Sequence, residues 1–259
     1  DENLVYSDEG ELTSYYDTAD RVTTYGYDAL HRRTSALYPD TGTTTYQYNA
    51  HDLQVGVIDP ISLSTSYVYD DLGRLSRVVS PASGQTDYTY DPVGNVATAT
   101  DATGRVATYT HDALNRVTGI AYADTGQNIA YTYDQGTYGV GRLTGISDAS
   151  GATAYTYDGW GRLIREDRTV LGVVYTTEYA YNDNHDLVEI TYPGGRTVTY
   201  QYDAAGRVTG VETANGSSPL VLASSGTYQP FGPLRGLTLG NGVTMTRAFD
   251  LRYRMTSRD

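Results

Sequence analysis

The sequence predicts an all-β protein: tandem β-hairpins in one continuous, strongly curled or spiralling antiparallel sheet, an open or partial β-shell. Three observations predict it. A short phrase recurs at a nearly constant spacing, each period carries two turn signals, and tyrosines alternate with small or polar residues between those signals.

The phrase is read most easily at 69–76, Y-D-D-L-G-R-L-S, and again 21 residues on as Y-D-P-V-G-N-V-A. Taking its aromatic as a marker gives Tyr6, Tyr27, Tyr48, Tyr69, Tyr90, His111, Tyr133, Tyr157, Tyr181, Tyr202, Tyr228 and Phe249. The first five steps are 21 residues each, and the later, longer ones contain local insertions such as Q-G-T-Y-G-V before Gly141. Insertions at turns leave a stack of repeats intact. Residues 1–259 therefore read as a single repeat domain of eleven to twelve units.

The first turn of each unit follows the marker. It has Asp at the next position (Asp28, Asp70, Asp91, Asp112, Asp158, Asp203) and Gly three residues later (Gly73, Gly94, Gly161, Gly206). Where that Gly is absent the chain has His31, Asp52, Asn115, His185 or Tyr253, and four of these five are types that tolerate positive φ. The Asp gives way to Ser7, Asn49 and Asn182, which keep a side-chain acceptor without the charge. A turn-bracing role survives that exchange, whereas a general acid or a carboxylate metal ligand does not. The Arg that follows (Arg74, Arg116, Arg142, Arg162, Arg207) is expected to lie along the surface or to pair with a carboxylate of a neighbouring repeat.

The second turn signal comes half a period later, as in P-D-T-G at 39–42, D-A-T-G at 101–104 or L-G-N-G at 239–242. Between the two signals lie stretches of strand length rich in Thr, Val and Tyr. In Tyr46-Gln47-Tyr48, Tyr67-Val68-Tyr69, Tyr88-Thr89-Tyr90, Tyr131-Thr132-Tyr133, Tyr155-Thr156-Tyr157 and Tyr200-Gln201-Tyr202, both tyrosines must share one face. That face is a candidate binding surface. Tyr in place of Phe predicts a face that is apolar in body and wet at its tip. The following strand, as in Leu143-Thr144-Gly145-Ile146, spaces its apolar residues oddly and leaves its inner face unassigned.

About 22 strands at ~4.8 Å each would make a flat sheet ~105 Å wide, and open twisted sheets rarely exceed ~10 strands. Such a sheet is expected to roll up.

Composition narrows the function. Net charge is −13 and every basic residue is Arg, with no basic stripe to displace phosphate counterions, so no nucleic-acid partner is expected. The absence of Cys excludes disulfides and thiol catalysis. No apolar run is long enough to span a bilayer, and the opening D-E-N-L-V-Y-S-D-E-G does not read as a signal peptide, so no membrane insertion is expected and any export address lies outside this chain. His31, His51, His111 and His185 each have a place in the repeat, which argues against a metal site. No metalloprotease, P-loop or nucleophile-elbow pattern occurs; no catalytic, cofactor-binding or metal residue is assigned, and no enzyme is expected. Asn215-Gly216-Ser217 reads as a hairpin turn before it reads as a glycosylation sequon.

The stretches Y-T-Y-D-Q-G-T-Y-G-V-G-R-L-T (131–144), Y-T-Y-D-G-W-G-R-L (155–163), Y-Q-Y-D-A-A-G-R-V-T (200–209) and Y-Q-P-F-G-P-L-R-G-L-T-L-G-N-G (228–242) resemble the YD repeats of bacterial Rhs proteins, teneurins and the C component of Tc toxins. The resemblance covers essentially the whole chain. It implies a spiralling sheet that builds a hollow shell, in bacteria typically around a C-terminal toxin domain, and a secreted or cell-surface location. The partner it implies is an effector polypeptide or further repeats of the same parent chain. The self-cleaving core segment of many Rhs proteins, with its paired aspartates, has no counterpart here, and Asp59-Pro60 and Asp91-Pro92 lie in ordinary repeat turns. The expected function is non-enzymatic encapsulation. The alternative is adhesion to glycans or protein through the tyrosine face. Unpaired strand edges add an expectation of self-association, blunted by the acidic termini.

Overall fold

A computed structural model describes residues 3–216, 218–253 and 255–258. Asp1, Glu2 and Asp259, on which the blunting of the edges was expected to rest, and Ser217 of the sequon lie outside the described residues.

The chain forms two compact units, Asp1–Asn128 and Ile129–Asp259. Both are all-β. In the first, twelve described strands run from Asn3–Tyr6 to Val117–Tyr122, followed by a short 3-10 turn at Thr125–Gln127. In the second, twelve described strands run from Ile129–Tyr133 to Met255–Arg258. Within each unit every strand pairs antiparallel with its sequence neighbour, as in Thr43–Tyr48 with Gln54–Ile58 and then Ser64–Tyr69, or Arg196–Tyr202 with Val208–Asn215. The expected hairpin meander is therefore present. Its contacts are local in sequence because each strand meets the strand just made.

The register carries a feature that the alternation pattern concealed. In each hairpin the ladder slips by one residue at the marker: Gln47 faces Gly56 and Tyr48 faces Gln54, leaving Val55 as the extra residue. The same irregularity falls at Tyr69, Tyr157, Tyr202 and Phe249. A bulge flips the side-chain phase of one strand. Leu143 and Ile146, three residues apart, therefore face Tyr133 and Tyr131 respectively and share the tyrosine face. The odd spacing that left this strand unassigned is the signature of the bulge.

Each unit is a single layer with little dry interior. Among the described residues the buried apolar ones are Ala36, Ala107 and Val198, joined by Thr23, Thr44 and Thr144, and no large side chain is fully buried. The tyrosines are half-buried while the residues between them, Gln47, Val68, Thr89, Thr132, Thr156 and Gln201, are exposed. With so little buried, cohesion must come from the ladders and from contacts between successive hairpins.

Candidate functional site: marker turns and the tyrosine face

Most marker turns are built on one carboxylate. Asp70 N–H donates to the Arg74 carbonyl at 2.8 Å and Gly73 N–H donates to the Asp70 carbonyl at 2.9 Å, closing the loop. Asp70 Oδ1 accepts from the Leu72 and Arg74 amides at 3.0 and 2.9 Å, which fixes an Asx turn. Asp70 Oδ2 accepts from Arg74 Nε at 2.7 Å. Asp28, Asp112, Asp158 and Asp203 repeat the arrangement with Arg32, Arg116, Arg162 and Arg207, and Asp91 repeats it with Asn95. The uncharged substitutes do the same work on the backbone: Asn49 Oδ1 accepts from His51 and Leu53, Asn182 Oδ1 from Asp186, and Ser7 Oγ from Glu11.

The residue closing the turn is left-handed throughout this set. Gly73, Gly94, Gly161 and Gly206 have φ of 76, 99, 79 and 74°, and His31, Asp52, Asn115, His185 and Tyr253 hold 62, 62, 62, 68 and 62°. Tyr253, the one residue type ill suited to this region, adopts it all the same. Gly232 does not appear among the positive-φ residues, and its turn is also the one with Gln229 in the Asp position.

Two turns between hairpins use the same chemistry: the one at Asp17, which the sequence did not announce, and the one at Asp59-Pro60, expected only as an ordinary repeat turn. Asp17 Oδ1 accepts from Ala19 and Arg21 with Asp20 at φ 57°, and Asp59 Oδ1 accepts from Ile61 and Leu63 with Ser62 at φ 66°. The signal was Asp three residues before the left-handed position, but without a Gly to mark it.

The arginine sits differently from the expectation. It pairs with the carboxylate of its own turn, at 2.7 Å in Arg74–Asp70 and Arg162–Asp158, because the Asx turn brings residue and carboxylate together. Its guanidinium then reaches the next unit and lies over the following marker ring: Arg32 on Tyr48, Arg74 on Tyr90, Arg162 on Tyr181 and Arg207 on Tyr228, at 4.4 to 4.7 Å. Only Arg32 also reaches a neighbouring carboxylate among these, Asp52 at 2.7 Å. That contact belongs to a series in which the residue after one turn meets the left-handed residue of the next: Glu11 with His31, Asn95 with Asn115, and Arg162 with His185. Trp160, exposed at its turn, lies edge-on to the ring of His185.

The marker hydroxyls are likewise committed, which corrects the expectation of a wet tip. Tyr48, Tyr69, Tyr90, Tyr157 and Tyr202 donate to the carbonyls of Arg33, Gln54, Leu75, Leu143 and Leu187 at 2.6 to 2.9 Å. Tyr27, Tyr181 and Tyr228 do the same with Leu12, Leu163 and Val208. In every case the acceptor is the residue facing the previous marker at its bulge, so Tyr outdoes Phe because it supplies a hydrogen bond where the ladder is interrupted. The inner tyrosines Tyr46, Tyr67, Tyr88, Tyr131, Tyr155 and Tyr200 sit opposite Val57, Val78, Ala99, Ile146, Glu166 and Val211 on the same face.

Electrostatics follow the geometry. The Arg32 guanidinium holds Asp28 below the usual carboxylate range, and the Arg74 backbone amide, with its guanidinium, does so for Asp70. Burial pushes the hydroxyls of Tyr90, Tyr181 and Tyr202 up. Among the described residues no group of three His, Asp or Glu is placed to hold a metal ion.

The family model described as RHS Repeat matches residues 6–43, 48–86, 69–106, 90–127, 138–174 and 181–218, together well over half of the sequence. The chain belongs to the RHS repeat family. No curated protein matches this Rhs chain. Among solved structures it is similar to TcdB2-TccC3 without its hypervariable C-terminal region, at 16% identity and a TM-score of 0.77, over 98% of this chain and 16% of that one. It is equally similar to the Photorhabdus luminescens Tc holotoxin pore carrying a TccC3 mutation, at 16% identity and TM-score 0.77 over 99% of this chain and 16% of that one. A further TcdB2-TccC3 structure gives 14% identity and a TM-score of 0.63 over 98% of this chain and 18% of that one. The Rhs chain thus shares the fold of these toxin components and spans about a sixth of their length.

Proposed function

We propose that this Rhs chain is a non-enzymatic wall segment of a β-shell that encloses or presents a toxin or other effector polypeptide, as part of a secreted or cell-surface assembly. The observation that carries the reading is the likeness of nearly the whole chain to a stretch of the Tc toxin components, together with RHS repeats along most of its length. The geometry is suited to a wall. Turn carboxylates, arginines and marker hydroxyls are spent on neighbouring backbone and rings, and each unit is one layer thick. Residues 1–259 act in this reading as one repeat domain whose partners are the cargo and further repeats of the parent chain. Glycan recognition by a tyrosine ladder has less support, since the marker hydroxyls are bonded to carbonyls and several marker rings already carry a guanidinium.

The test is protease protection in the parent protein. Cargo cut slowly in the intact array, and rapidly once repeats 1–259 are deleted, is the expected result. Equal cutting in both contradicts it.

A further inference from the structure

At five junctions the residue after the left-handed turn position serves as a lid on the next marker ring. Arg32, Arg74, Arg142, Arg162 and Arg207 place their guanidinium 4.4 to 5.6 Å from the ring centre of the following tyrosine. The matching residue is Glu11 before Tyr27 and Asp186 before Tyr202, both acidic, and at the junction between the units of Tyr48 and Tyr69 it is the apolar Leu53. Tyr69 keeps its hydroxyl on the Gln54 carbonyl at 2.8 Å, but among the described residues no guanidinium lies on its ring. Leu53 reaches toward Gly73 instead, its Cδ1 3.7 Å from where a Cβ there would lie.

The space beside Leu53 is open. A cleft of about 790 Å³ opens at this junction, lined among others by Asn49, His51, Leu53, Tyr67, Tyr69 and Asp71. That volume is within the range of real ligand clefts. Its polar groups are unequal. Asn49 Oδ1 already accepts from two amides and Asp70 is engaged by Arg74. Asp71 is exposed and has no hydrogen-bond or ion-pair partner among the described residues, so one carboxylate at the rim is uncommitted.

We propose that this cleft binds a guanidinium supplied in trans, an arginine side chain of a partner polypeptide, in the place that five other junctions fill from the chain's own sequence. The template is internal to the molecule: the same ring type in the same setting takes a guanidinium at five other junctions. Arginine is favoured over lysine because its planar head stacks on the ring while its edge pairs with a carboxylate such as Asp71. The net charge of −13 favours the approach of any cation, so selectivity between the two basic side chains is the informative quantity. The inference rests on this junction's geometry and stands apart from the shell reading.

The test is a titration of the whole chain followed by amide NMR at Asp71 and Gly73, with N-acetyl-arginine methylamide, its lysine counterpart, guanidinium ion and a blocked Gly-Arg-Gly peptide as probes. Saturable binding in the millimolar range is expected, with the lysine probe at least about threefold weaker and the peptide tighter than guanidinium ion. Leu53→Arg, which restores the lid in cis, should weaken binding at least about tenfold, and Asp71→Asn severalfold. Shifts that never saturate, equal binding of the arginine and lysine probes, or unaltered binding by Leu53→Arg overturn the proposal. Guanidinium ion binding as tightly as the peptide overturns the assignment to a polypeptide. Should Leu53→Arg fail to fold, Asp71→Asn on the exposed turn decides alone, and undiminished binding there overturns the site.

Discussion

The turn at Tyr157 and the turn at Tyr228 are the same element built with different residues. At the first, Asp158 Oδ1 accepts from Trp160 and Arg162 and Gly161 closes the loop at φ 79°. At the second, Gln229 bonds no turn amide through its side chain and Gly232 lacks the positive φ, yet Gln229 N–H still donates to Pro233 O at 3.1 Å and Gly232 N–H to Gln229 O at 3.2 Å. Both units nonetheless anchor to the hairpin before them. Tyr157 donates to Leu143 O at 2.7 Å and Tyr228 to Val208 O at 2.6 Å, each under an arginine. Two devices are therefore separable. Asp and the left-handed residue shape the turn, while tyrosine and the preceding arginine join one unit to the next.

The junction should be the costlier one to break. Tyr181→Ala removes a half-buried ring, the platform under Arg162 and the bond to Leu163 O, and should lower unfolding stability by about 3 kcal/mol in urea denaturation. A turn change costs less. Gly94 has φ 99° with no atom near its missing Cβ, so Gly94→Ala should cost about 1–2 kcal/mol from backbone alone, and Gly94→Asn clearly less, since Asn115 holds the matching position one unit on. Tyr90→Phe isolates the hydroxyl bond to Leu75 O and should cost about 1 kcal/mol.

Acid should act on the turns. Asp28, Asp70, Asp112 and Asp203 are held below the usual range when folded. Such groups stabilise fully above their unfolded pKa of about 3.9 and lose that contribution as pH falls through the lowered folded value. The urea midpoint should be level from neutral pH to about 5 and fall below about 4, less steeply in Asp70→Asn. The smallest effect is expected at the degenerate turn, where Gln229→Asp should change stability by less than about 0.5 kcal/mol, because the loop there lacks the left-handed closure that completes an Asx turn.

The difference between the two devices also explains what could be read beforehand. The turn device is local, four residues long, and Gly73 or Asn115 announces it directly, so the period, the hairpins and the shared face of Tyr155 and Tyr157 were legible. It was missed where Asp20 takes the left-handed position without a glycine, and at Asp59-Pro60 the turn was legible but not its left-handed Ser62. The junction device was not legible, since the partner of Tyr90 is a backbone carbonyl 15 residues away and carbonyls leave no trace in sequence. For the same reason the bulge, which decides that Leu143 and Ile146 share a face, showed only as irregular spacing. Arg162 was expected along the surface or on a neighbouring carboxylate, because its ring partner, Tyr181, belongs to the following unit.

The most direct measurement is a pair of double-mutant cycles on Tyr181. Arg162→Met combined with Tyr181→Leu should show a coupling of about 0.5–1 kcal/mol, whereas Asn182→Ala with Tyr181→Leu should be additive within about 0.4 kcal/mol. Additivity between Arg162 and Tyr181, or an equally strong coupling through Asn182, would contradict the separation of turn from junction.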